Sequence, residues 1–401
     1  MRKIANLLIF GLMSILACAA EHHVPQLTGE SYIVVYTCAP GNQLYSQFGH
    51  SAIGVIDPKL NINAVFNYGT FSFQTPHFYA KFCAGKLLYR LSAESFARFV
   101  AEYEEEGRRV VAQRLNLSLE QRQQLFNNLD ENYKPENRYY QYDFFFDNCA
   151  SRILDMLYNT FDATLTYCNS DSSRQPTLRN CIHPYLKQSL WTKAGIDLAL
   201  GSITDRRASK REQAFLPDKL CAYIADCNID TLPLVLDTYE VVKSTIQPTS
   251  TCWFIAPFTI FILLFFVILA LSVKLPNSNW KIIDCFYFSV LGVLGLVVAL
   301  LWFATDHGAT IWNLNILWAS PLYLIYIFVV GEKTKKRYRC LTVILLISNA
   351  LMLPASFIQN FNICFYPLAA ISVLRLFSNL KHLNAESNFG EECVFECSEI
   401  Q

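Results

Sequence analysis

From Trp253 onward the chain carries a series of long uncharged apolar stretches, and no water-soluble fold hides five of them in succession. Trp253–Val273 and Cys285–Thr305 each hold about 20 residues, the length that crosses a bilayer as a helix. Thr310–Val330 and Cys340–Ile358 are further candidates, and Phe361–Leu374 spans only if Arg375 and Lys381 snorkel to the interface. Pro321, Pro354 and Pro367 predict kinks, which packed membrane helices tolerate. Composition agrees: of 401 residues 53% are hydrophobic and 16% charged, against roughly 25% charged in soluble domains. Thirty Phe and 21 Tyr exclude a disordered chain. Lys+Arg equals Asp+Glu at 33 each, so no excess positive charge exists to drive nucleic-acid binding.

The N-terminus predicts export. Arg2 and Lys3 precede an uncharged, mostly apolar run from Ile4 to Leu16, then Ala17, Cys18, Ala19 and Ala20, so residues 1–20 read as a signal peptide. A lipoprotein signal with Cys18 lipidated is the competing reading. Lys and Arg crowd the loop at Lys333–Arg339, and they also follow Val273 and the fifth stretch. The loops at Asp306-His307 and Gln359-Asn360 have none. Basic loops stay in the cytoplasm, which predicts residues 21–250 outside, about five transmembrane helices over 251–378 and a cytoplasmic tail over 379–401.

The 21–250 region reads as α+β. Ser31–Tyr36, Ser51–Ile56 and Val65–Tyr68 have strand character, and Tyr89–Leu91 is a fourth candidate. Ala93–Glu106, Ser118–Asn132 and Asn148–Tyr158 have helical spacing, with Ser118 as an N-cap.

The chemistry has few candidate carriers. There is no phosphate-binding Gly loop, no H-E-x-x-H and no G-x-S-x-G. No metal site is expected, because no second ligand pair accompanies Cys181 and His183, and the spacing of Cys393 and Cys397 is weak. The segment Tyr142-Asp143-Phe144-Phe145-Phe146-Asp147-Asn148-Cys149 places a Cys at the start of a helix. The positive end of the helix dipole favours thiolate there, and the amides can stabilise an oxyanion. A buried structural Cys is the alternative. A Cys nucleophile needs a His brought close by the fold. His50, after Gly49 at the head of a strand, is one candidate, and His77 and His183 compete. Asn67 is a candidate orienter of the imidazole, with a simple sheet-end hydrogen bond as the alternative. Cys168/Cys181 and Cys221/Cys227 are possible pairs in an oxidising compartment.

Thr37-Cys38-Ala39-Pro40-Gly41, Phe48-Gly49-His50-Ser51, Val65-Phe66-Asn67-Tyr68-Gly69 and Asp147-Asn148-Cys149 resemble the Lnb family of bacterial lipoprotein N-acyltransferases. Gly195–Gly201, Arg211-Glu212-Gln213 and Asp306-His307 with Asn313, Asn315 and Trp318 continue the resemblance. It implies a permuted papain-like (NlpC/P60-like) extracytoplasmic domain, with His before Cys, followed by an α-helical transmembrane bundle in the inner membrane. It implies Cys149 as nucleophile and His50 as base, working without a cofactor. The implied partners are a phospholipid acyl donor and a diacylated lipoprotein acceptor, with no nucleic acid. Asp306, His307, Asn313 and Asn315, at the outward end of two helices, are expected as substrate-binding groups, with helix capping and interface anchoring by Trp312 and Trp318 as the alternative. A membrane-anchored thiol peptidase or amidase, or a non-enzymatic envelope scaffold, are the alternatives.

Overall fold

The computed structural model describes residues 24–168, 175–246, 253–275, 280–329 and 335–398. The expected signal at 1–20, Cys18 and the first part of the basic loop lie outside these residues.

Alternating apolar residues build the first half. Strands β1 (Tyr32–Cys38), β2 (His50–Asp57), β3 (Ile62–Thr70), β4 (Leu88–Ser95), β5 (Val110–Leu115) and β6 (Tyr139–Gln141) lie in one sheet. β7 (Leu165–Tyr167), β8 (Cys227–Ile229) and β9 (Leu232–Pro233) form a small separate sheet, and β10 (Val235–Val242) returns to the main one. The main sheet is antiparallel in the order β10-β5-β1-β2-β3-β4-β6. The strand period of two sends Ile33, Val35, Ile53 and Val55 to one face, and Val34, Tyr36, Ala52 and Ile56 to the other.

Helices cover both faces. Between β3 and β4 comes the short α1 (Phe78–Cys83). α2 (Phe96–Glu105) packs Phe99 and Tyr103 on one face. α3 (Leu119–Tyr133) and α4 (Cys149–Phe161) pack Leu125, Leu129, Ile153 and Leu157 on the other. Ser118 closes a capping box with Gln121 at the start of α3. Ile153 and Leu157 are fully buried, so truncation of either to Ala costs about 2–5 kcal/mol. The expected helix from Ala93 begins later, because Ala93–Ser95 stay in β4 and Ser95 caps α2.

After α5 (Leu190–Ala199) and α6 (Pro217–Ala225), the second half is helical: α7 (Pro257–Lys274), α8 (Lys281–Phe303), α9 (Leu322–Val329), α10 (Lys335–Ala355) and α11 (Phe365–Ser398). Among the described residues, three helices are long and apolar enough to cross a membrane: α7, α8 and α10 from Lys336. The third expected stretch, Thr310–Val330, is broken into two 3-10 turns and the short α9, with Pro321 just ahead of the helix. Lys335–Arg339, expected in a loop, form the first turns of α10, and the expected tail continues α11 as far as Ser398. Arg375 does not snorkel. It is 1% exposed and makes a two-pronged pair with Asp284 at 2.7 and 3.0 Å, with its guanidinium 3.9 Å from the Trp280 ring centre. A buried charge is tolerated there because a carboxylate and an aromatic face meet it.

The halves are joined by polar side chains. Asn313 Nδ2 donates to the carbonyls of Leu198 and Ala199, and Asn315 Nδ2 to those of Asp197 and Leu198, at 2.8–3.1 Å. Trp318 Nε1 and Gln359 Nε2 donate to the amide oxygens of Asn315 and Asn313. Both asparagines are 0% exposed. Of the two expected roles, substrate binding and helix capping, the hydrogen bonds match the second: both asparagines spend their donors on the C-terminal end of α5, where a helix leaves carbonyls unpaired. Gly201 sits in the same seam. Its N–H donates to Ala309 O at 2.9 Å, and a Cβ there would lie 1.8 Å from Ile311 O. Asn315→Ala should therefore lower stability by about 1–3 kcal/mol, the cost of leaving buried carbonyls unpaired. Thermal unfolding of the detergent-solubilised protein measures this, and an unchanged midpoint would contradict the assignment.

Candidate active site

The segment Asp143–Cys149 is wound by its own polar side chains. Asp143 Oδ1 accepts from the amides of Phe145 and Phe146 at 2.9 and 3.1 Å, and Asp143 and Asp147 exchange backbone hydrogen bonds. Asn148 is the N-cap of α4. Its Oδ1 accepts from the amides of Ala150 and Ser151, both at 2.9 Å, and its Nδ2 donates to Phe144 O and Phe215 O. Asp147 pairs with Arg152 at 2.5 and 2.6 Å. These contacts leave Cys149 as the first residue of α4, 7% exposed.

Opposite it, His50 opens β2. Gly49 before it has φ of +82°, and a Cβ there would lie 2.7 Å from Cys38 O, so only glycine delivers the chain into the strand at this angle. The His50 imidazole lies close enough to the Cys149 thiol for their charges to attract. His50 Nε2 lies 3.1 Å from Asn67 Oδ1, and Asn67 Nδ2 donates to Glu94 Oε1 at 2.9 Å. Ile53 pairs with Phe66, and Asn67 with Ser92, so by alternation His50, Asn67 and Glu94 share one face of three neighbouring strands. The network assigns the tautomer. A carboxylate only accepts, so Glu94 orients the Asn67 amide with its oxygen toward the ring. Nε2 then carries the proton, and Nδ1 is the basic nitrogen left for the thiol.

Burial works against charge on both groups, raising the Cys149 pKa and lowering that of His50. Their mutual attraction outweighs it. Drawn down chiefly by the His50 charge beside it, Cys149 falls below its ordinary 9.0. His50, aided by Asn67, rises above 6.5. The neighbouring thiols behave oppositely: burial pushes Cys38 and Cys227 up to about 12 and Cys181 up to about 11. A thiolate–imidazolium pair at a helix N-terminus is the reactive form of a cysteine nucleophile.

The other expected groups fall elsewhere. His183 is hydrogen-bonded to Asp197 at 3.0 Å, and His77 is an exposed residue with φ of 57° ahead of α1. Cys168, Cys181, Cys221 and Cys227 are free thiols, and Cys181 and Cys227 pack in different apolar clusters. Asp306 and His307 do reach the vicinity: the Asp306 amide donates to Ala84 O at 2.9 Å and His307 Nε2 to Cys83 O at 3.2 Å. A Cβ on Gly308 would lie 3.2 Å from Asp143 Oδ2. The end of a membrane helix is thus placed against the segment that leads to Cys149. Glu94, Tyr140 and Tyr142 were not foreseen. Tyr140 has a buried hydroxyl without a partner among the described residues, and its oxygen lies 4.0 Å from a Cβ built on Gly69. That same built atom is 3.8 Å from Cys149 Cβ and 3.6 Å from the Tyr142 ring. Glu94 escapes the sequence reading because helical spacing assigns it to the helix expected over Ala93–Glu106, whereas it lies in β4.

A family model described as the Lnb N-terminal periplasmic domain matches residues 25–181, and one described as the Lnb transmembrane domain matches residues 249–386. No curated protein and no solved structure matches the chain. The two family models cover most of the sequence in the order in which the two halves fold, and the chain belongs to the Lnb family.

Proposed function

We propose that the protein is a lipoprotein N-acyltransferase of the inner membrane, with Cys149 as nucleophile, His50 as acid–base and Asn67 as orienter. The observation that carries this reading is a polarised Cys–His pair built beside the outward end of a membrane helix. A catalyst whose two substrates are both lipid-anchored needs its nucleophile at that height.

The reaction then runs in two halves. The Cys149 sulfur attacks the ester carbonyl of a phospholipid, and the positive end of the α4 dipole stabilises the oxyanion. The C–O bond breaks, the lysophospholipid oxygen takes the proton from His50, and an acyl thioester remains. The α-amine of a diacylglyceryl-cysteine attacks that thioester and gives its proton to His50. The C–S bond breaks, restoring the thiolate and leaving an amide on the lipoprotein. His50 moves the same proton out and back, as microscopic reversibility requires.

Thioester trapping tests the assignment. Cys149→Ser should form no detectable acyl-enzyme while remaining folded, because a hydroxyl is far less acidic than a thiol. His50→Ala should slow acylation by about 10²–10⁴-fold, and His77→Ala and His183→Ala should retain most of it. Trapping lost in His183→Ala or His77→Ala but kept in His50→Ala would contradict the pairing. Release of the acyl group or a peptide to water alone, with no amine acceptor used, would favour a thiol hydrolase.

The pH dependence has a definite sign. The reactive ion pair forms as pH rises through the lowered Cys149 pKa and is lost as pH rises through the raised His50 pKa. Alkylation of Cys149 should begin at lower pH than that of an ordinary thiol. Asn67→Ala removes a hydrogen bond that raises the His50 pKa, so the alkaline limb of the activity profile should move to lower pH. A profile identical to wild type would remove Asn67 from the network.

A further inference from the structure

The surface beside Cys149 exposes large aromatic rings that a domain bathed in water has no reason to display. Phe73 is 69% exposed, Tyr79 76% and Phe82 51%. All three belong to α1 and the turn before it. This edge rests on the membrane bundle, because Cys83 O and Ala84 O accept from His307 and the Asp306 amide just past the end of α8. The last turn of α8 carries Trp302 and Phe303, stacked at 4.6 Å, and Phe303 is 73% exposed. Aromatic rings gather at the interface between hydrocarbon and water. Lys81 and Lys86 flank the exposed rings, where ammonium groups meet lipid phosphates.

The rings continue inward. Phe82 and Phe73 pack on Phe78 with centroids 6.1 and 4.8 Å apart. Phe78 meets Phe71 at 5.8 Å, Phe71 meets Tyr89 at 5.4 Å, and Tyr89 stacks on Tyr142 at 4.5 Å. Tyr142 adjoins Cys149 across Gly69. We infer that Phe73, Tyr79 and Phe82 enter the outer leaflet of the inner membrane and that the file of rings behind them leads a phospholipid acyl ester to Cys149. The occupant is bilayer phospholipid, because the exposed edge continues the surface of a transmembrane domain and carries cations beside apolar rings. This inference rests on the proposed acyl transfer and adds the route by which the donor arrives.

Two arms test it on the full chain in vesicles of phosphatidylethanolamine and phosphatidylglycerol. In a Cys149→Ala background, a benzophenone amino acid placed at position 82 should give a phospholipid adduct. One placed at Leu60 should not, since Leu60 follows the far end of β2 and eight residues of strand span about 26 Å. In the second arm, Tyr79→Ser/Phe82→Ser should lower the ratio of Cys149 acylation by bilayer phospholipid to acylation by a water-soluble short-chain nitrophenyl ester. The expected fall is at least about tenfold, because two large apolar rings lose their place in the bilayer. No lipid adduct at position 82, an adduct to a second copy of the chain, or an unchanged ratio overturns the inference. Wild-type protein acylated by neither donor overturns the acyl-transfer reading instead, while the adduct still reports the membrane contact.

Discussion

The architecture depends on a buried carboxylate at the join between a periplasmic domain and a membrane domain. Asp197, 1% exposed, accepts from Arg179 at 3.2 Å and is bonded to His183 at 3.0 Å, both in the first half. Its second oxygen accepts from Asn362 Nδ2 at 2.8 Å, which belongs to the loop ahead of α11. Burial alone would raise its pKa, but His183 and Arg179 hold it below the usual carboxylate value. Arg179, fully buried, also binds Asp205 and the carbonyls of Leu200 and Gly201. A charge so enclosed is costly to separate from its partners, so the hub fixes α5 against the bundle. The asparagine ties from Asn313 and Asn315 add to the same joint.

Fixing that joint sets the height of the site. A lipid ester lies at the level of the bilayer interface, so a nucleophile held a few ångströms too high never meets it. Here the loop after α8 touches the segment 83–85 on one side and Asp143 on the other. Asp143 winds the turn that starts α4, and α4 begins with Cys149. The same contacts that dock the periplasmic domain therefore also position the thiol. Proximity of this kind is worth several kcal/mol in the proposed transfer.

Much of this was legible in the sequence where local chemistry decides. The strands around His50, the Ser118 cap and the helix beginning at Cys149 follow from alternation and capping. Other features depend on partners distant in sequence. Asn313 and Asn315 read as substrate-binding or capping groups at the end of two membrane helices, and no local pattern says that carbonyls more than a hundred residues away consume their donors. Arg375 reads as an interfacial anchor, but Asp284 on another helix draws it inside. The stretch from Thr310 reads as one span by hydropathy, and it is broken because its first residues serve the joint instead. β10 pairs with β5 across more than a hundred residues, a contact that no local pattern specifies.

The proposed activity is tested most directly on the product. Mass spectrometry of lipoprotein N-terminal peptides, from cells with the protein and cells carrying Cys149→Ser, compares the modified cysteine itself. The account predicts a third acyl chain, amide-linked to the cysteine nitrogen, in cells with the protein and a free amine in the variant. Identical triacylated peptides in both, with no other acyltransferase present, would contradict it.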